Sequence, residues 1–382
     1  MRNLQYFWIL GLIFSAYGCS DRAAPAASFV STLGRDTLVV ELFRMQPEYV
    51  EADILIRSPE TRYYRQSLML DGDGNFVEYH SAGYDPNDLS GNPVEEEHAR
   101  MEGDSLIVTR YRDTTEQRAS FSAAADVLPW MDMVHWPYEV ATRQLIAEGE
   151  PMKARPMFTF RGPAEYIFRH ISPDSASIQH PFRGTMTAAI DAHGALQLYD
   201  ATETTRKLIV RRGGPLNIKA LAAKYADKPI GELSGEGITE TQVLGANLYI
   251  TYGQPARRGR ELFGQIVPWN ERWRTGANRA THFKTDTPLR FGELEVPQGE
   301  YTLFSIPAPE GGTLIINRET GQNGNSYKEE MDLGRVPMHR ISGAGSVELF
   351  TIDAVQREGQ GVLQLKWGED IFEVPFEVVP TG

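Results

Sequence analysis

Between Ala246 and Asp286 the chain sets Tyr, Trp, Arg, Gly, Asn and His at close spacing. Arg260 and Arg274 carry planar cations whose forked N–H donors suit a carboxylate, a phosphate or a carbonyl. Trp269 and Trp273 offer flat faces on which a sugar ring or an aromatic ligand can stack. Tyr252, Asn278, Thr281 and His282 add hydroxyl, amide and imidazole groups around them. Read functionally, these residues form a ligand-binding cleft. Read structurally, the same residues pin a long loop through buried Trp rings and Arg bonds to backbone carbonyls, with Thr275-Gly276-Ala277-Asn278 as a turn. The sequence leaves both readings open.

Other constellations are weaker. Asp71-x-Asp73-x-Asn75 resembles the start of a calcium loop, but Phe76 stands where that loop needs Gly, so a hairpin turn is expected. Asp132, His135 and Glu139 could share one helical face, yet Pro137 interrupts them and no HExxH spacing is present. A hydrogen-bonded or exposed histidine is expected there. No G-x-S-x-G elbow or phosphate-binding loop occurs. No metal or cofactor is expected and no catalytic group can be chosen. An enzyme would need His282, Asp286 or His339 beside Arg260 and Arg274.

The elements that must position these residues read as mainly β. Alternating patterns predict strands at 49–57, 62–70, 76–80 and 106–112, and again at 157–160, 166–170, 186–191, 195–200 and 206–211. The polar stretch 87–102, with Glu95-Glu96-Glu97, reads as a solvated loop. Residues 130–148 follow helical spacing, with Pro137 suited to a helix start. Residues 36–212 are expected to form an antiparallel sheet or half-barrel around that helical segment. A helical linker (213–235) follows, then a β-sandwich (236–382) in which Phe372, Val374, Phe376 and Val378 share one apolar face. The half-barrel layout is like that of bacterial lipoprotein carriers in pattern alone.

Composition narrows the function classes. The net charge of −13 opposes binding to phosphate backbones, so no nucleic-acid partner is expected. Arg2 precedes an apolar run, Leu4–Phe14, too short for a membrane span; it reads as a signal peptide ending at residue 18. Gly18-Cys19 resembles a lipobox, with Ala16 where that motif usually has Leu. Cys19 is the single cysteine, and its lipidation would use the lone thiol of an exported chain. Residues 19–35 are then expected to be a lipidated flexible tether.

The loop's motifs resemble a bacterial family of unknown function, DUF2911. They include Tyr252-Gly253-x-Pro255, Arg258-Gly259-Arg260, Phe263-Gly264, Val267-Pro268-Trp269, Trp273-Arg274-Thr275-Gly276-Ala277-Asn278-x-Ala280-Thr281 and Asp332-Leu333-Gly334-Arg335-Val336. The resemblance runs from about Gly231 to about His339. It implies an exported or envelope-associated protein and brings no activity with it. Where family members tend to read Trp-Gly and then Tyr-Asp, this chain has Asn323-Gly324 and Tyr327-Lys328.

Together these features predict a non-catalytic lipoprotein of the bacterial cell envelope, anchored at the periplasmic face or cell surface. Its partner would be a small molecule, a glycan or another envelope protein. Two alternatives stand beside it. One is a hydrolase or other enzyme acting on envelope glycans through the 252–282 cleft. The other is a lipid or lipoprotein carrier using the N-terminal half-barrel.

Overall fold

The computed structural model describes residues 25–112 and 114–380. The N-terminal stretch expected to be a signal peptide, and Cys19, lie outside the described residues. Among the described residues the chain is mainly β, in two sheets, as expected.

The N-terminal sheet holds fifteen strands in an order that is almost the sequence folded in half. Starting at the Thr115–Ser122 edge, strands step back through the sequence to Ala27–Leu33 at the centre. From there the order continues through Ile209–Gly213 and steps back to a short parallel strand, Leu128–Pro129, at the other edge. The two edges are not hydrogen-bonded to each other, so no barrel closes. Helix α1 (Trp136–Glu148) lies against the concave face. Glu41, Gln66 and the turn at Gly194, from well-separated parts of the sheet, all bond to it, which requires the sheet to curl around the helix. Trp136, Tyr138, Val140 and Leu145 on α1 join Phe168 and Tyr199 in the core.

Three segments depart from expectation. Ala27–Leu33 falls within the stretch whose Ala, Ser and Pro content predicts a flexible tether. It is instead the central strand, with the Phe29 ring tilted against Phe43 at 4.8 Å and buried positions on both faces. The N-terminal domain therefore starts before residue 36. Glu95–Glu102 is a strand and not a solvated loop. Its charges are answered across the strand pairs: Glu97 by Arg110 and Glu95 by the Tyr64 hydroxyl and Arg112. The apolar face at Phe372, Val374, Phe376 and Val378 belongs to a longer strand than its pattern marks, Gln360–Val378.

The hairpin at Asp71 forms as read. Its Oδ1 accepts from the N–H groups of Asp73 and Asn75 at 3.0 and 2.8 Å, which holds the carboxyl below the ordinary Asp value. Pro137 lies in the first turn of α1, where its missing N–H costs nothing.

Helix α2 (Ile218–Tyr225), capped by Asn217, leads into the C-terminal sheet of nine strands. Its two longest strands, Asp332–Arg357 and Gln360–Val378, are paired to each other, with register shifts near Val347. Before the shifts, the first of them pairs with Gly311–Asn317. Beyond them it reaches Ser234–Val243, where the Thr239 hydroxyl donates to the Ile352 carbonyl at 2.5 Å. The two layers of the expected sandwich are thus one sheet folded over. Phe372, Val374 and Phe376 point inward, each at most 2% exposed, as their alternation predicts.

A candidate anion site between the two sheets

The loop from Ala256 to Ala280 is built as a framework first. Trp273 and Ser305 exchange backbone hydrogen bonds at 2.7 and 2.9 Å. The Trp273 ring stacks on Trp367 with centroids 6.0 Å apart, and its Nε1 donates to the Gly276 carbonyl. Gly253 lies against the returning chain, where a Cβ would overlap the carbonyl oxygen of Ala277. Thr275 is fully buried at φ 54°, a conformation that a β-branched residue adopts only under constraint. Its hydroxyl bonds Ser305 Oγ at 2.9 Å, and its carbonyl accepts from Thr281 Oγ1 at 2.7 Å. The strained turn fixes the direction in which its neighbour Arg274 leaves the backbone.

This framework divides the residues that the sequence grouped together. Tyr252 is 4% exposed and packs edge-on against Phe350, away from any cleft. Thr281 is buried. Trp269 stacks on Phe263 and carries Arg340 over its ring. His282 lies on the strand Thr281–Thr285 beside Thr302, and burial pushes its imidazole below the ordinary value. Tyr252, Trp269, Thr281 and His282 do not line the cleft: Tyr252 and Thr281 are buried in the core, ring stacking holds Trp269, and His282 projects from the opposite face of its strand to Thr281. Asp286 bonds Asn247, and His339 sits exposed on Asp332–Arg357, so neither reaches Arg260 or Arg274.

Arg260, Trp273, Arg274 and Asn278 do come together, along a cleft of about 780 Å³ between the loop and the N-terminal sheet. The N-terminal sheet supplies Arg183, Arg206 and Lys207 to the opposite wall. The domains are fastened beside it. Arg258 Nη1 bonds Asp36 at 2.5 Å, and the Arg35 N–H donates to the Arg258 carbonyl at 3.0 Å. Lys207 was not foreseen. It holds φ 56°, and nothing in its neighbourhood of the sequence marks it.

The cleft's cations differ in how well they are matched. Arg183 and Arg206 share Asp132, the first at 2.6 Å. Asp132, His135 and Glu139 therefore do not converge on a metal. Asp132 faces the cleft, whereas His135 and Glu139 are buried with partners of their own. Arg260 spends Nε and Nη2 on the carbonyls of Arg257 and Ala256, at 3.0 and 2.6 Å. Burial, then Arg258, lowers its guanidinium to about 10. Lys207 and Arg274 make no ion pair and no side-chain hydrogen bond among the described residues. Burial lowers both, and Arg260 and Arg274 push Lys207 down further, against Glu203 and Glu271. Beside these cations the lining mixes apolar side chains, Met131, Met133, Leu233, Ile266 and Val267, with the carboxylates of Glu60, Glu95, Glu203 and Glu232. Asn323 bridges to Arg279, and the Arg274 stem packs on Gly324. The Asn323-Gly324 departure thus sits directly behind the cleft's free guanidinium.

No curated protein matches the chain. Among solved structures it is similar to a DUF1089-family protein from Pseudomonas aeruginosa, at 12% identity over 51% of this chain and 95% of that one, with a TM-score of 0.31. A β-barrel-like protein of the unknown-function family DUF1849 from Brucella abortus is similar at 11% identity, over 50% of this chain and 97% of that one, with a TM-score of 0.32. Residues 234–376, which form the folded-over C-terminal sheet and carry the whole signature loop, match the family model described as protein of unknown function DUF2911.

Proposed function

We propose that this chain is a non-catalytic, lipid-anchored protein of the bacterial cell envelope that binds an organic anion in the cleft between its two sheets. One observation carries the reading: half-buried Lys207 and Arg274 share a cleft with Arg260 and form no ion pair among the described residues, although Glu203 lies close enough to act on Lys207. Cations brought together out of water repel one another and lose hydration. An incoming carboxylate or phosphate reverses both costs through charge-assisted hydrogen bonds. The apolar side chains of Met131, Met133, Ile266 and Val267 suit a ligand with a hydrophobic body beside its charge. Trp273 forms part of the same lining, with its indole N–H already used inside the loop. The export and anchoring part of the reading rests on the apolar N-terminus and Cys19.

The test is thermal shift and calorimetry on the chain with citrate, inorganic phosphate and an oligogalacturonate, a neutral oligosaccharide serving as control. An organic anion is expected to raise the melting temperature, by about 2.7 kcal/mol of stabilisation at a hundredfold excess over Kd. Arg274→Gln and Lys207→Gln are each expected to weaken binding by about tenfold or more, since a hydrogen bond to a charged group contributes roughly 1.5–3 kcal/mol. Equal response to the neutral sugar, or unchanged affinity in both variants, would overturn the reading. Breakdown of the ligand, seen by mass spectrometry in the same samples, would favour an enzyme acting on envelope glycans. Cys19→Ser is expected to release the chain from the membrane fraction.

A further inference from the structure

The outer face of the N-terminal sheet carries a second group of residues that the cleft does not use. Strands Phe76–Tyr84 and Glu95–Glu102 pair antiparallel, with His80 directly opposite His98 and Ala82 opposite Glu96. The neighbouring pair Tyr79 and Ala99 turns into the core at 3% and 1% exposure, so by alternation His80, Glu96 and His98 project together from the other face. The two imidazoles lie stacked with centroids 4.2 Å apart. His80 Nε2 is 3.3 Å from Glu96 Oε1. One ligating atom from each of the three residues can be chosen so that all lie within 4.8 Å of one another.

We infer that His80, Glu96 and His98 form a binding site for a divalent transition-metal ion of the zinc and copper class. The inference is independent of the anion cleft. Two ligand atoms on one tetrahedral ion, with bonds of about 2.0–2.1 Å, stand about 3.3–3.4 Å apart. The His80–Glu96 pair already has that spacing, and a His98 nitrogen stands within 4.8 Å of both. The side chain opposite Glu96 is a methyl group, which leaves the carboxylate free to turn toward the rings. The ligand atoms are fixed by hydrogen-bonded strands rather than by a loop, so little order must be gained on binding. The side chains of His80 and Glu96 are 36% and 35% exposed, open enough for an ion to enter. Three protein ligands leave the fourth position to water. Two imidazoles and one carboxylate favour zinc or copper over magnesium or calcium, which require oxygen donors. The sequence hid this site because His80 and His98 lie 18 residues apart (98 − 80) in two strands, one of which read as a loop.

The experiment titrates the chain with zinc chloride by calorimetry and records copper(II) electron paramagnetic resonance on the same preparation. Zinc is expected to bind one to one and magnesium to give no heat. His98→Gln is expected to weaken zinc binding at least tenfold with an unchanged far-ultraviolet circular dichroism spectrum. Nitrogen splitting from two imidazoles in the copper spectrum is expected to become that of one. If His98→Gln does not fold, Glu96→Gln is read the same way, with a fall in zinc affinity and both nitrogens retained. No zinc binding by the chain, or zinc affinity and copper spectra that the substitutions leave unmoved, would overturn the inference.

Discussion

Two groups of charges in this molecule are taken out of water, and they are treated in opposite ways. Under α1, Glu41 and Glu139 are fully buried. Glu41 accepts from the N–H groups of His135 and Trp136 at 3.0 and 2.9 Å and pairs with His135 Nδ1 at 3.0 Å. It caps the helix from a strand nearly a hundred residues away, on the end where the helix dipole favours an anion. Glu139 holds Arg143 at 3.0 Å, Arg212, and the N–H of Leu196 at 3.2 Å. At the cleft, Lys207 and Arg274 are less buried and form no ion pair among the described residues, with Glu203 and Glu271 acting on Lys207 only from a distance. The difference teaches how to separate structural from binding charge here. A buried ion with every bond filled closes the fold, whereas a half-buried ion without a partner at a cleft awaits one.

The sharpest way to break this comparison is Glu41→Ala. It strips three donors of their acceptor at the start of α1 and leaves His135 and Trp136 buried without one. Breaking a buried pair of this kind costs roughly 3–5 kcal/mol. Urea denaturation is expected to show that loss, with no change in anion affinity of the folded fraction. A loss under about 1 kcal/mol would show that the cluster under α1 does not hold the fold.

His180 lies between the two cases. It is 7% exposed, and its Nδ1 accepts from the Phe182 N–H, so the ring proton sits on Nε2, where no partner is found. Burial first, then Arg183, pushes its pKa from the ordinary 6.5 down to about 4. Between those values the unfolded chain binds the proton and the folded chain does not. The contribution is therefore present above 6.5 and is lost as pH falls toward about 4, with no further loss below. Melting temperature followed from pH 7 to 4 is expected to drop across that window. His180→Gln is expected to flatten the drop. An equal drop in the variant would assign the acid sensitivity to other groups.

Much of the fold was legible where one residue's neighbours in sequence are also its neighbours in space. Asp71 makes its turn from its own loop, Pro137 starts its own helix, and Phe372, Val374 and Phe376 alternate within one strand. The rest depended on distant partners. Glu95–Glu102 looks too charged for a strand until Arg110 and Tyr64 are beside it. Ala27–Leu33 looks like a linker until its neighbours on both sides are known. The candidate site shows the same limit. Arg274 and Asn278 were visible by type, but Tyr252, Thr281 and Trp269 carry the same kinds of groups and face inward. Lys207 comes from the other sheet, and the fold alone brings it there.

The smallest expected effect on stability tests that point most directly. Among the described residues Arg274 makes no hydrogen bond through its side chain; its stem rests on Gly324 and its head faces Lys207 across the cleft. Replacing it with Gln removes a charge that repels Lys207 and breaks no bond. The change in unfolding free energy is expected to stay within about 0.5 kcal/mol, and of either sign, as for substitutions that disturb no packed or paired group. The same variant is expected to lose most of its anion affinity. A chain that loses affinity without losing stability would place Arg274 opposite to Glu41, whose loss costs stability and spares binding. A stability loss above about 2 kcal/mol would instead make Arg274 a strut of the loop. The free charge at the cleft would then rest on Lys207 alone, from the N-terminal sheet, and the ligand would have to be sought on that wall.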